Sequence, residues 1–472
     1  MRAAVRLSLF AILMIAARPS IAQTSQQLDQ LRIEQQRAEA ARRAAEEQRR
    51  QEEAARRAIT EELKKLTPVD IAKSAPPQLI EPCLAQSMSR DFPFNPRQTP
   101  MADWVAAGEV QQFPWKVQVG RPQLRVDQRY EIVHAATVRV KDLKWPTGAQ
   151  LELRFVSGIS RPDGSWLTPF RAGRQSLTAK PGIGITFTDC VFLQPGDYLL
   201  WIAIQDTKSS RRNVVKRRIS VPEFSPDPLP GLNSRLPAAE YPQVQTGPKA
   251  IAISPGEMSL RVANEQSLKL ELVPILSPVD QWGGRTDIVR WNNNRILSAT
   301  SVLSQAKLAN GSISARALDL ANRTTAFQQQ EFDQLDWTKL AGFFTQIAEN
   351  HTVSVPVLET LKDRSQYFST WLRERLERQG EPTRVIILVS GSLLFERGSD
   401  LTPIRWEGDC NCRVYHLRFR VNQNDLFDNL EKLIKPLRPK TFNIMTSRDF
   451  RKALSEIVKD LEGLNSTAAL RQ

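Results

Sequence analysis

The chain is 472 residues long, carries 65 Lys and Arg against 51 Asp and Glu for a net charge of +14, and is 41% hydrophobic. That length holds two or three domains with substantial cores. It has three histidines and no His-Glu-x-x-His pattern, Gly-x-Ser-x-Gly elbow or Gly-x-x-x-x-Gly-Lys loop, which excludes the zinc-protease, serine-hydrolase and phosphate-loop signatures.

Residues 1–22 read as a secretory signal peptide. Arg2 and Arg6 precede the apolar stretch Leu7 to Ala17, and Ser20-Ile21-Ala22 has cleavage-site spacing. The alternative is a retained N-terminal anchor, but no apolar run approaches the roughly 20 residues that a membrane-spanning helix requires. The expected location is secreted or periplasmic.

Residues 23–66 form a charged segment in which Arg42-Arg43, Glu46-Glu47, Arg49-Arg50, Glu52-Glu53 and Arg56-Arg57 alternate. Opposite charges three and four residues apart predict a helix. Its leucines (Leu28, Leu31, Leu63, Leu66) sit only at the ends, so it reads either as a solvated spacer or as a coiled coil giving a weak homodimer. A linker follows over 67–107, containing Cys83.

Over 108–221, short alternating runs such as Gln150 to Phe155 and Tyr198 to Ile204 are separated by Pro and Gly turns, which predicts an all-β sandwich. The turn Gln194-Pro195-Gly196-Asp197 leading into Tyr198 resembles the late hairpin of immunoglobulin-like domains in exported bacterial proteins. Between Glu109 and Val221 stand 18 Lys and Arg against 9 Asp and Glu, with a basic patch at Arg211, Arg212, Lys216, Arg217 and Arg218. Such a face suits anionic lipid, an anionic envelope polymer such as polysaccharide, or another protein, and the export signal argues against nucleic acid; the plainer reading is surface cations that only confer solubility. Residues 222–248 hold seven prolines and read as a stiff linker.

In 249–465 the period changes to alternating strands and helices. Strands are predicted at Leu268 to Val273, Val385 to Val389, Val414 to Phe419 and Thr441 to Met445, with an edge hairpin at Ile313 to Leu320 and Thr324 to Phe332. Helices are predicted at Asn293 to Leu308, Trp337 to Ala348, Arg364 to Arg378, Asn424 to Ile434 and Arg448 to Leu461. This is the pattern of an α/β doubly wound sheet.

The early hairpin, the apolar central strand ending in Ser390-Gly391-Ser392, and the closing strand and helix resemble von Willebrand factor type A domains. Metal-binding members of that family carry Asp-x-Ser-x-Ser after the first strand and an Asp after the central one. Here the corresponding turns read Leu276-Ser277-Pro278-Val279-Asp280 and Ser390-Gly391-Ser392, so the resemblance implies a degenerate, metal-free domain. Ser277, Asp280, Ser390, Gly391 and Ser392 are its candidate ligand-binding loop residues.

Ser390 or Ser392 with His416 is the one nucleophile-and-base pairing to weigh, against the plainer reading of small residues at a strand tip. Cys83, Cys190, Cys410 and Cys412 are candidates for disulfides in an exported chain; the competing reading is a soft-metal site at Asp409, Cys410, Cys412 and His416. The expectation is thus a non-enzymatic, cofactor-free exported binding protein, with a cryptic hydrolase or a passive oligomeric scaffold as alternatives.

Overall fold

The structure, a computed structural model, describes residues 101–464 except 169, 180–181, 183, 242, 245–251, 254–255, 277–285, 350–360, 377–382, 394, 396–400, 405–411 and 421–428. The expected signal peptide, charged helix and Cys83 therefore lie outside the described residues, as do Ser277, Asp280, Asp409 and Cys410. Strands dominate and are arranged in several sheets. No helix among the described residues is long and apolar enough to cross a membrane.

Alternating apolar residues build a two-sheet sandwich. One sheet has the order β1 (Val110–Gln111), β9 (Arg212–Val221), β8 (Gly196–Asp206), β5 (Gln150–Ser160), β6 (Arg171–Thr178). The other runs β10 (Ala239–Glu240), β7 (Gly184–Leu193), β4 (Tyr130–Arg139), β2 (Lys116–Val119), with β3 (Gln123–Leu124) also on β4. Every pairing is antiparallel. Ile132 and Val138 from β4, Leu153 and Phe155 from β5, Phe187 from β7 and Ile202 from β8 share the core between the sheets. Helix α1 (Met101–Ala106) lies on the outer face of the first sheet, burying Met101 and Trp104 against Val156, Trp201, Ala203 and Val214. That corrects the expectation of a linker reaching residue 107.

The proline-rich segment is also no free spacer. Leu232 and Leu236 are buried, and Ala239–Glu240 joins the second sheet as β10. Short pairs follow: β11 (Gln243–Val244) with β12 (Ala252–Ile253), and β13 (Leu260–Val262) in parallel with β15 (Ala306–Leu308).

The remaining sheet has six strands in the order β17 (Thr324–Gln329), β16 (Gly311–Asp319), β14 (Leu268–Ile275), β18 (Thr383–Ser390), β19 (Cys412–Phe419), β20 (Lys440–Ile444). All neighbours are parallel except the antiparallel edge strand β17. Counted along the chain this is 3-2-1-4-5-6, the order of doubly wound sheets.

Parallel strands covered on both faces need apolar residues at consecutive positions. In β18, Val385, Ile387 and Val389 point to one face, covered by α2 (Thr286–Leu303), α3 (Trp337–Glu349) and α6 (Ser447–Glu462). Ile386 and Leu388 point to the other, under α4 (Leu361–Leu376) and α5 (Leu430–Ile434). Gly311 opens β16 at φ +133°, and a side chain there would collide with the Leu268 carbonyl.

Several element boundaries differ from expectation, and α2 begins at Thr286 rather than at Asn293. α2 ends at Leu303, because Ala306–Leu308 is drawn into pairing with β13. The helix expected from Asn424 is described only over Leu430–Ile434. α6 begins with a capping box: the Thr446 hydroxyl accepts from Asp449 N, and the Asp449 carboxylate accepts from Thr446 N.

Candidate functional site

Open α/β sheets place ligands at the carboxyl ends of their strands. Among the described residues, the tip of β18 at that edge is buried. Ser390 and Ser392 are 0% and 1% exposed, and Gly391 is buried. These three expected ligand-binding residues are therefore interior, because the apolar strand that carries them continues into a covered turn. At the ends of β19 and β20, Arg295 of α2 donates to the carbonyls of Arg420 at 3.1 Å, Ile444 at 3.4 Å and Met445 at 3.0 Å, its guanidinium 5.0 Å from the Phe419 ring centroid. Burial pulls the Arg295 pKa down to about 10, so it remains charged at neutral pH.

The structure does bring Ser390 to His416. Leu388 is in register with His416 on the next strand, and Ser390 Oγ shares a 2.9 Å hydrogen bond with His416 Nε2. The chemistry of a nucleophile needs more than this contact. Burial, and secondarily the charge of Arg418, lowers the His416 pKa to about 3, leaving a neutral ring. Nδ1 has no hydrogen-bond partner among the described residues, so no acid orients the ring as a base. Both side chains are fully buried, which leaves an attacking group no path to substrate.

The soft-metal reading fails on strand geometry. Cys412 and His416 lie four residues apart on β19, about 13 Å at the rise of an extended strand, far beyond a shared ion. No cluster of three or more His, Cys, Asp or Glu among the described residues could hold a metal ion. Neither Cys190 nor Cys412 is a free thiol.

The basic patch divides by strand alternation. Val214 on β9 belongs to the outer cluster and Val215 to the inner core, so Arg212, Lys216 and Arg218 share the outer face while Arg217 points the other way at the sheet edge. Arg211 is structural: it donates to the Leu143 carbonyl and, at 3.2 Å, to Ser209 Oγ, and lies 3.7 Å from buried Asp206. Arg217 and Arg218 are 49% and 74% exposed and face Glu109 at 3.9 Å and Asp197 at 3.5 Å. The Lys216 and Arg212 side chains form no ion pair among the described residues, although the Lys216 backbone N–H donates to Glu109 Oε1 at 2.8 Å. They lie over aromatic rings instead, Lys216 Nζ 5.8 Å from Trp201 and the Arg212 guanidinium 5.7 Å from Trp104.

Arg154 extends this outer face, since the register places Arg212 opposite Gln205 and Gln205 opposite Arg154. Reading the sequence missed Arg154 because it stands alone among apolar residues of β5. It also missed a polar layer inside the sandwich. Ser157 Oγ donates to Asp189 Oδ2 at 3.0 Å, Arg171 Nε lies 3.2 Å from Asp189 Oδ1, and His134 Nε2 lies 3.9 Å from Oδ2. Ser157, Asp189 and His134 occupy core-facing positions that alternation alone would fill with apolar side chains. Burial lowers the His134 pKa against the pull of Asp189.

No family model matches the chain, and no curated protein matches it. Among solved structures, the structural-genomics target SoR45 is 13% identical, with 24% of this chain and 88% of that chain covered at a TM-score of 0.17. A protein described as ApaA from Bordetella pertussis is 14% identical, with 24% and 99% covered at 0.16. A von Willebrand factor type A protein from Catenulispora acidiphila is 9% identical, with 43% and 48% covered at 0.23. Scores at this level carry no argument about this chain.

Proposed function

We propose that the chain is an exported, non-enzymatic binding protein that meets an anionic envelope polymer or an acidic protein surface through the outer face of its sandwich. The observation that carries this reading is the group of cations on that face, Arg154, Arg212, Lys216 and Arg218, of which Arg212 and Lys216 rest on aromatic rings rather than on carboxylates. In this reading the sandwich is immunoglobulin-like and the α/β half is a degenerate von Willebrand factor type A domain, supported by the 3-2-1-4-5-6 order with its antiparallel third strand. The charged N-terminal helix serves as a spacer that gives at most a weak homodimer.

The double variant Lys216→Glu with Arg218→Glu tests the basic face, leaving Arg211 and Arg212 to their packing roles. Binding to immobilised polyglutamate and polygalacturonate should weaken about tenfold, or about 1.4 kcal/mol, with the urea midpoint unchanged. Surface pairs such as Arg218 with Asp197 contribute little to stability, so folding should not suffer. Equal binding by wild type and variant, or no binding by either, would remove the basic-face reading.

The type A-like half is expected to bind no structural Mg²⁺ or Ca²⁺. A divalent ion gives up strongly held water and requires several oxygens, some anionic, in return. Ser390 and Ser392 bring hydroxyls without charge, leaving Asp280 as the one acid in the two turns. Calorimetric titration of the full chain should show no heat of binding; a stoichiometric isotherm that vanishes in Asp280→Ala would establish a metal site and overturn this part of the proposal.

A further inference from the structure

The outer sheet face holds an aromatic floor beside its cations. Trp201 of β8 is 8% exposed, and its indole N–H donates to Ser160 Oγ at 3.2 Å. Trp166 reaches the same floor from the turn after β5, bridging to Ser160, with its ring 6.4 Å from Trp201 and 4.5 Å from Phe170 in an edge-on contact. Trp166 and Phe170 are half-buried, so each keeps part of a ring in solvent.

The floor depends on Gly158. It stands opposite Trp201 in the register, and a Cβ there would lie 2.6 Å from Phe170 Cδ1 and 3.0 Å from Trp166 Cζ3. Glycine lets the two rings lie directly on the strand. Lys216 is opposite Trp201 on the other side and exposed, with Arg218 one step further along the same face. The carboxylates bordering the area are Asp197 and Glu109, at its edge, and exposed Asp163 in the turn before Trp166.

We infer that this platform binds an anionic polysaccharide, the sugar rings resting on Trp166 and Phe170 and their carboxylate or ester groups meeting Lys216 and Arg218. The inference rests on the basic-face reading and narrows its ligand. A flat aromatic ring gives a pyranose face apolar contact that it cannot give a flexible acidic side chain, while the cations beside it supply the charge complement. A polyanion without rings would use the cations alone.

The full chain should therefore bind polygalacturonate about tenfold more tightly than polyglutamate of equal charge. Trp166→Ala and Gly158→Ala should each remove that preference and leave polyglutamate binding unchanged. If either variant misfolds, tryptophan fluorescence of the wild type decides: emission should change on adding polygalacturonate and not on adding polyglutamate. Equal affinity for the two polymers, an undiminished preference in a folded Trp166→Ala, or unaltered emission would overturn the polysaccharide inference while leaving the basic face standing. Wild type that binds neither polymer, or that binds only anionic lipid vesicles, would overturn both.

Discussion

Replacing Arg451 by methionine is expected to separate the unfolding of the sandwich from that of the α/β sheet and to cost about 3 kcal/mol or more. Arg451, on α6, is 2% exposed and gathers its close partners from the proline-rich segment. Its Nε and Nη2 donate to the two oxygens of Asp227 at 2.7 and 2.8 Å, Nη2 also to the Leu229 carbonyl at 3.1 Å, and Nη1 to Asn233 Oδ1 at 3.1 Å. The guanidinium also lies 4.0 Å from the Phe224 ring centroid. Around it Gln128 Nε2 donates to the Ser447 carbonyl at 3.0 Å, Ser447 Oγ to Leu124 O at 2.8 Å, and Ser455 Oγ to Pro228 O at 2.5 Å.

Removing the arginine leaves half-buried acceptors without their donors, which costs more than the net worth of the pair. Lysine should not rescue, because a single ammonium cannot span both Asp227 oxygens and the neighbouring carbonyl. Adding Asp227→Asn to Arg451→Met should recover part of the loss, since the stranded charge is then gone. Urea unfolding followed by near-ultraviolet and far-ultraviolet signals should change from one transition to two. A single transition at the wild-type midpoint would show that the two halves are held together by something else.

Acidification should destabilise the chain well before its carboxylates protonate, because two buried histidines are kept neutral. In the unfolded chain a histidine takes a proton near pH 6.5, whereas His416 resists until about 3 and His134 is shifted in the same direction. The unfolded state therefore binds more protons below about pH 6.5, and stability falls as pH drops through that window. At pH 5 the His416 share is about 2 kcal/mol. His416→Gln should remove about that much of the loss between pH 7 and 5, and His134→Gln a further part.

Asp227 acts with the same sign in a lower pH window. Hydrogen bonds from Arg451 hold its carboxyl below the ordinary value, so its contribution persists down to about pH 4 and is lost only below it. An unchanged drop between pH 7 and 5 in the double histidine variant would assign the acid sensitivity elsewhere.

The period of the chain made most elements readable. The run Val385 to Val389 could only be a strand covered on both faces, and Arg448 to Leu461 repeats apolar residues at helical spacing, so β18 and α6 were expected close to their observed bounds. Pairing was harder to read. Ala306–Leu308 continues a helical pattern, and only its partner β13 makes it a strand; Ala239–Glu240 sits among prolines, and only β7 makes it part of a sheet. These are long-range choices that no local propensity records.

The candidate site followed the same division. Readable without any packing were the residue types at the central strand tip, the lack there of the metal motif of type A domains, and the clustering of the cations of 211–218. It took the packed chain to seal Ser390 against a neutral His416, to set Arg211 on backbone while Lys216 and Arg212 lie on tryptophans, and to tie α6 to the proline-rich segment through Arg451. Charge and periodicity are properties of neighbours along the chain, whereas burial and hydrogen-bond partnership depend on residues tens to hundreds of positions away. Desolvation, which neutralises His416 and makes Arg451 costly to remove, is set by those distant neighbours.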